Sequence, residues 1–199
     1  MLRNLSTNTK FKSIVMGFFR RNKEEILDII LFGSSVREKE KPRDIDILVI
    51  YKIEKNIEKS YELKKELDRE WNNVEIIDKT YSELVEGSFK AVEGILAEGY
   101  SLIYDKFLAG GFGYMNLHLF KYELKNLNKS ERMRFYYSLY GRAESQSGML
   151  KELNAIKFSD SILLCPVYSI ERAKEYLKTW KINFIEFPIL IPSRLKTII

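Results

Sequence analysis

Apolar residues in the first half of the chain fall into segments of two kinds, some with helical spacing and some continuous. Phe11, Val15 and Phe18 recur on one helical face, which predicts an amphipathic helix packed on a sheet. Short continuous apolar runs are typical of strands covered on both faces. The predicted helices are residues 10–22 and 56–71, and the predicted strands are residues 26–32, 44–50 and 74–77. Their order predicts an α/β (α+β) domain with a mixed sheet and flanking helices.

The glycine cluster at residues 109–113 is predicted to separate two domains, because such clusters punctuate folded units. The predicted domains are residues 1–108 and 114–199. In the second, the pattern predicts strands at 114–124, 162–167 and 183–191, and helices at 130–140, capped by Ser130, and 170–180. If the ambiguous segment before residue 162 adds a strand, this smaller α/β domain has the order βαββαβ of a ferredoxin-like fold.

Paired carboxylates are the first candidate for chemistry. Asp44 and Asp46 are two residues apart at the start of a predicted strand, so their side chains point to the same face, roughly 7 Å apart. Carboxylate oxygens bind hard divalent cations when substrate phosphates and waters complete the shell. Glu75, in the predicted 74–77 strand, is a third acidic candidate if its strand pairs beside theirs. It would then take a proton from an attacking hydroxyl or complete the metal shell.

The turn after the first predicted strand is a candidate phosphate site. Gly33 permits close approach of the backbone to a phosphate, and Ser34 and Ser35 are predicted to open a short helix whose hydroxyl and amide groups bind that anion. This turn and the acidic strand together predict a site for a metal-bound nucleoside triphosphate.

The motifs Phe32-Gly33-Ser34 and Asp44-Ile45-Asp46-Ile47 resemble those of the nucleotidyltransferase superfamily of DNA polymerase beta, and within it the minimal nucleotidyltransferases. The resemblance covers the first half of the chain and includes residues 91–105, which are similar to the helix and short strand that close the minimal domain. It implies two Mg²⁺ ions held by the catalytic residues Asp44, Asp46 and Glu75. It also implies that Gly33 and Ser34 form the phosphate-binding turn. Ser35, Arg37 and Arg43 are further candidates for nucleotide contact.

Three positions depart from the pattern of many minimal members, which have Arg-Gly after the turn, Ser before the first Asp, and Asp as the third carboxylate. Here Glu38 follows Arg37, Arg43 precedes Asp44, and the third carboxylate is Glu75. Arg43 either contacts a phosphate or neutralises the acidic pair when metal is absent.

The composition adds expectations about location and the second domain. With 199 residues, one cysteine and no apolar run of membrane-spanning length, the chain is expected to be globular, cytoplasmic and without an internal disulfide. The net charge of +5 and the mixture of basic and aromatic residues after residue 120 suit nucleic-acid binding, with Arg142 the first residue to test. The alternative is that these residues form a solvated helical face.

The resemblance implies magnesium-dependent transfer of a nucleoside monophosphate from a triphosphate such as ATP to an acceptor hydroxyl, with pyrophosphate released. RNA, protein and small-molecule acceptors all remain open. The alternative is a noncatalytic nucleic-acid-binding or antitoxin-like interaction protein on the same scaffold. Metal-dependent triphosphate binding separates the enzyme from these alternatives.

Overall fold

Each half of the chain forms its own β-sheet with helices packed against it. The computed structural model describes residues 5–37, 44–87, 89–142 and 147–197. Contacts divide the chain into two units, Met1–Gly113 and Tyr114–Ile199. The first contains a five-stranded sheet and the second a four-stranded sheet.

The first unit has a mixed sheet with the strand order β3-β2-β1-β4-β5. Strands β2 and β3 are parallel, whereas the other neighbouring pairs are antiparallel. The predicted mixed sheet with flanking helices is therefore confirmed. Its strands are β1 (Ile26–Phe32), β2 (Ile45–Tyr51), β3 (Val74–Thr80), β4 (Tyr100–Ser101) and β5 (Lys106–Phe107). Its helices are α1 (Thr9–Arg21), α2 (Ile57–Asp68), α3 (Tyr81–Val85), α4 (Val92–Glu98) and α5 (Leu108–Gly111).

Apolar side chains on both faces of β2 explain why this strand lies inside the sheet. Leu48 and Ile50 pack with Ile30 of β1 and Ile95 of α4 in a buried cluster. Ile47 and Val49 alternate with them and are also fully buried. Because successive strand residues point to opposite faces, β2 is covered on both sides. Its first residues thus belong to a rigid element.

Helix α1 forms where the helical apolar spacing predicted it. The Asn8 side chain caps its start by accepting a hydrogen bond from the Phe11 N–H, at 3.0 Å. Phe11, Val15 and Phe18 are fully buried, as their common helical face requires. Phe11 also meets the ring of Trp71 edge to face, with centroids 5.2 Å apart.

The second unit has the order βαββαβ apart from one short additional helix. Its strands are β6 (Tyr114–Glu123), β7 (Ile156–Ser159), β8 (Ile162–Pro166) and β9 (Asn183–Pro192). Its helices are α6 (Lys129–Tyr140), the short α7 (Met149–Glu152) and α8 (Ile170–Thr179). The sheet has the order β7-β8-β6-β9, with every neighbouring pair antiparallel. This is the ferredoxin-like arrangement that the sequence predicted.

Aromatic packing fixes α6 in the second unit. Phe135 is fully buried and stacks on Tyr176 of α8, with ring centroids 5.8 Å apart. The helix begins two residues earlier than expected, because its N-cap is Asn128, whose side chain accepts a hydrogen bond from the Glu131 N–H at 3.0 Å. Ser130, the predicted cap, already lies inside the helix. The capping prediction was therefore wrong, since Asn128 and Glu131 form the complete capping box.

Cys165 and His118 pair across β8 and β6 and are both buried. His118 Nδ1 lies 3.0 Å from Glu186 Oε2. The three residues Cys165, His118 and Glu186 are of the types found in a Cys-His-acid catalytic triad. Burial, however, raises the pKa of the Cys165 thiol to about 12. The residue is therefore a packing thiol. Among the helices in the described ranges, none combines the length and apolar character needed to cross a membrane.

Candidate nucleotide site

Three neighbouring strands align the turn with two of the predicted acidic residues. Phe32, the last residue of β1, pairs with Asp46 of β2, and Asp46 pairs in turn with Glu75 of β3. Directly paired residues point to the same face, with their Cβ atoms about 5 Å apart. Asp46 and Glu75 therefore stand side by side, and the Gly33 turn begins at the end of the same row.

The carboxyl group of Asp46 is electrostatically coupled to the other two acids. Its pKa is raised by partial burial, then by the negative charge of Glu75, and then by that of Asp44. Glu75 and Asp44 are thus both close enough to Asp46 to repel its negative charge. A divalent cation would relieve that repulsion.

Gly33 is in direct contact with this acidic group. Its φ of +67° lies in the left-handed region, which residues with a Cβ rarely adopt. A Cβ at this position would overlap with carboxylate atom Oδ2 of Asp46. Glycine is therefore required twice, for the backbone turn and for the close approach of the turn to Asp46.

Ser35 fixes the start of β2. Its side chain is buried, and its Oγ donates a hydrogen bond to the backbone carbonyl of Asp44 at 2.9 Å. Ser35 therefore positions Asp44 relative to the turn, whereas the sequence predicted a nucleotide contact. Ser34, which precedes it in the short 3-10 helix Gly33–Ser35, is only half-buried.

Arg37 forms an ion pair that the sequence did not predict. Its Nε and Nη2 donate to the two carboxylate oxygens of Glu98 at 2.9 and 2.7 Å. Glu98 is buried at the end of α4, so this bidentate pair ties the segment after the turn to that helix. The structure therefore gives Arg37 a positioning contact. Arg43, the other arginine predicted to contact nucleotide, lies outside the described residues.

Oxygen donors predominate in this site, and that chemistry suits magnesium. Asp44, Asp46 and Glu75 offer only carboxylate oxygens, the ligands of hard cations. Over the described ranges, no group of three or more His, Cys, Asp or Glu side chains is arranged to hold a metal ion. Magnesium sites commonly use one or two carboxylates and take their remaining ligands from substrate phosphates and water. The donor set fits such a shared site.

Arg142, the predicted nucleic-acid contact, lies in the second unit directly after α6. Its guanidinium carbon is 5.2 Å from the centre of the Tyr137 ring. Together with Arg134 it lines an open pocket within that unit.

A mixed sheet with an acidic pair at the start of β2, beside a Gly-Ser turn, is the arrangement expected of a nucleotidyltransferase domain. Residues 16–95 match the family model described as Polymerase beta, Nucleotidyltransferase. The match includes Gly33, Asp44, Asp46 and Glu75. It confirms, over this segment, the resemblance to the superfamily of DNA polymerase beta.

One solved structure with a similar chain is a crystal structure of a mutant of the toxin-antitoxin pair MntA-HpeT. The two chains are 21% identical, with a TM-score of 0.36, and the alignment covers 46% of this chain and 70% of that chain. No curated protein matches this sequence.

Proposed function

We propose that this protein transfers a nucleoside monophosphate from a nucleoside triphosphate to an acceptor hydroxyl, with magnesium as cofactor. The observation that carries the proposal is the aligned row of the Gly33 turn, Asp46 and Glu75 across three strands. The family match over residues 16–95 supports it. RNA and protein hydroxyls are the acceptors to test first.

The reaction assigns a separate task to each part of the site. The acceptor oxygen forms a bond to the α-phosphorus of the triphosphate, the bond from that phosphorus to the bridging oxygen breaks, and pyrophosphate leaves. Gly33 leaves room for the phosphates beside the backbone, and Ser34 contributes its amide and hydroxyl to them. Glu75 accepts the proton of the attacking hydroxyl, directly or through water.

Asp44 and Asp46 would hold the magnesium, helped by Glu75. Magnesium, when bound, neutralises the phosphate charge and aligns the attacking and leaving oxygens. Ser35 keeps Asp44 beside the turn through its hydrogen bond. The Arg37–Glu98 pair keeps the segment after the turn on α4. The carboxylates therefore face the triphosphate from a fixed position.

The test uses the full chain, each α-labelled triphosphate, magnesium, and a cell extract as the source of acceptors. Asp46→Asn and Asp44→Asn should lower label transfer by about a hundredfold or more, because each removes a charged metal ligand. Asp68→Asn is the matched control, because Asp68 ends α2 and is paired with Lys64 at 3.1 Å. It should transfer at the unmodified rate.

Stability provides a second readout. The raised pKa of Asp46 means that its negative charge is unfavourable in the folded protein. Asp46→Asn should therefore melt at the same temperature as the unmodified protein, or higher, while losing activity. Unchanged transfer in both Asp44→Asn and Asp46→Asn would refute the mechanism. Failure of the unmodified protein to bind any triphosphate in a metal-dependent way would favour the noncatalytic alternative.

A further inference from the structure

The second unit contains a pocket of about 640 Å³ that the proposed transfer reaction does not use. Four of its lining residues, Arg134, Tyr137, Ser138 and Gly141, are spaced three or four apart and so occupy one face at the end of α6. Arg142, Ser147 and Gly148 also line it. No acidic side chain is among these lining residues.

Within the described ranges, no carboxylate forms an ion pair with the two arginines of this pocket. Arg134 and Arg142 are both exposed, and neither takes part in an ion pair with a carboxylate among the described residues. By contrast, Arg37 is paired with Glu98 and Arg172 with Glu152. Two guanidinium groups facing one open cavity attract an anion, and their planar donors suit phosphate oxygens.

Two backbone segments that line the pocket lie in close contact. Gly141 has a φ of +88°, which turns the chain away from α6. A Cβ on Gly148 would overlap with the backbone of residues 139–141. The backbone at Gly148 therefore packs directly against the end of α6, with no side chain between the two segments.

Tyr137 adds an aromatic surface beside the two charges. Its side chain is 42% exposed, and the Arg142 guanidinium lies over its ring at 5.2 Å. An exposed aromatic ring next to unpaired arginines is the combination that holds a phosphate and stacks on the attached base. The hydroxyl of Ser147 provides a further donor.

We propose that this pocket binds a nucleotide phosphate together with its base. The phosphate belongs either to a single-stranded nucleic acid or to a free mononucleotide, since both present the same group. The inference depends on the second unit alone and is independent of the transfer reaction proposed for the first.

The test measures binding of a fluorescent, 5′-phosphorylated single-stranded RNA dodecamer to the full chain over a range of salt concentrations. Arg134→Gln and Arg142→Gln should each weaken binding about tenfold and lower the salt slope by about one. Tyr137→Leu should weaken binding with the salt slope unchanged, because it removes stacking without removing charge. Arg194→Gln is the matched control, an exposed arginine of the same unit outside the pocket.

Competition identifies the source of the phosphate. If adenosine monophosphate displaces the dodecamer at a concentration similar to that of the nucleotides in competing unlabelled strand, the ligand is a free nucleotide. If only unlabelled strand displaces the dodecamer, the ligand is nucleic acid. Both results support the pocket. Equal losses in the Arg134→Gln, Arg142→Gln and Arg194→Gln variants would show general charge attraction and overturn the proposal. It would also be overturned if the pocket variants lowered only the melting temperature, or if neither ligand bound.

Discussion

At the scale of single residues, Gly33 and Asp46 depend on each other. The left-handed turn at Gly33 brings the backbone against the carboxylate of Asp46, so that no side chain fits between them. The same closeness would bring the phosphates of a triphosphate to the acidic group. Stability and activity should therefore both respond to a single added methyl group at this position.

Gly33→Ala should destabilise the protein and lower nucleotidyl transfer at least tenfold, because the new Cβ displaces the Asp46 carboxylate. The left-handed backbone alone should cost about 1–2 kcal/mol in unfolding free energy. Gly87→Ala is the matched control, since Gly87 has a similar φ of +73° but no heavy atom within 4 Å of the added Cβ. Denaturant unfolding and label transfer should separate the two variants. Equal transfer rates in the two would mean that contact with Asp46 has no functional consequence.

Asp28 is a second residue whose behaviour follows from its surroundings. It is buried in β1, and burial raises its pKa to about 6, although hydrogen bonds from Ser101 and from the Ile29 N–H oppose that rise. Both hydrogen bonds end on Oδ1, at 2.8 Å each. Since the folded protein binds this proton more tightly than the unfolded chain, its stabilising effect is complete below pH 3.8 and lost as the pH rises through about 6.

Asp28→Asn should remove this pH dependence, because the amide oxygen can accept both hydrogen bonds without carrying charge. Relative to the unmodified protein, the variant should gain about 2–3 kcal/mol of unfolding free energy between pH 4 and pH 7. Asp105→Asn should instead lose unfolding free energy relative to the unmodified protein as the pH rises, because hydrogen bonds from Lys12 and Tyr100 lower the pKa of Asp105. Urea unfolding at several pH values checks both. The prediction would be contradicted if the unfolding free energy of Asp28→Asn and of the unmodified protein changed with pH by the same amount.

At the scale of elements, the sequence predicted those whose signal is local. The strand Ile26–Phe32 and the helix Thr9–Arg21 lie where apolar runs and helical spacing indicated. The row formed by Asp46 and Glu75 was predictable only on condition that their strands pair, and the parallel register between β2 and β3 supplies that condition. Strand order is a nonlocal property, which no pattern within one segment determines.

Contacts between distant segments were beyond the sequence pattern. Arg37 and Glu98 are 61 residues apart, and only the packing of α4 near the turn brings them together. For Glu98, the sequence offered only an acidic residue at the end of a short helix, which is a weak signal. The hydroxyl of Ser35 was similarly ambiguous, because serine in a turn binds either an anion or its own backbone.

The cap of α6 is an element whose contribution can be measured directly. Asn128→Ala should cost about 1 kcal/mol of unfolding free energy, because the Glu131 N–H loses its acceptor at the helix start. Ser130→Ala should stay within about 0.5 kcal/mol, since Ser130 lies past the cap. Thermal unfolding of the two variants compares them within one helix turn. If Ser130→Ala lost more unfolding free energy than Asn128→Ala, Ser130 would be the N-cap, as the sequence suggested.

At the scale of the whole molecule, the two units carry different candidate chemistry. The first contains the acidic row and its own buried cluster around Leu48 and Ile50. The second contains the arginine pocket and the aromatic core around Phe135. Units that each bury a core and contain a complete sheet can fold separately. The domain boundary that we propose, between residues 113 and 114, would therefore separate the two proposed functions as well as the two sheets.

Residues 1–113, produced alone, should unfold cooperatively and keep metal-dependent triphosphate binding within about threefold of the full chain, because the proposed ligands all lie in this unit, which has its own sheet and core. The same fragment should lose affinity for the RNA dodecamer, whose proposed pocket lies entirely after residue 113. Asp46→Asn in the fragment should abolish the metal dependence and so show that binding occurs at the acidic row. A folded fragment that binds no triphosphate would mean that the second unit contributes to the nucleotide site, and the proposed division of functions would be wrong.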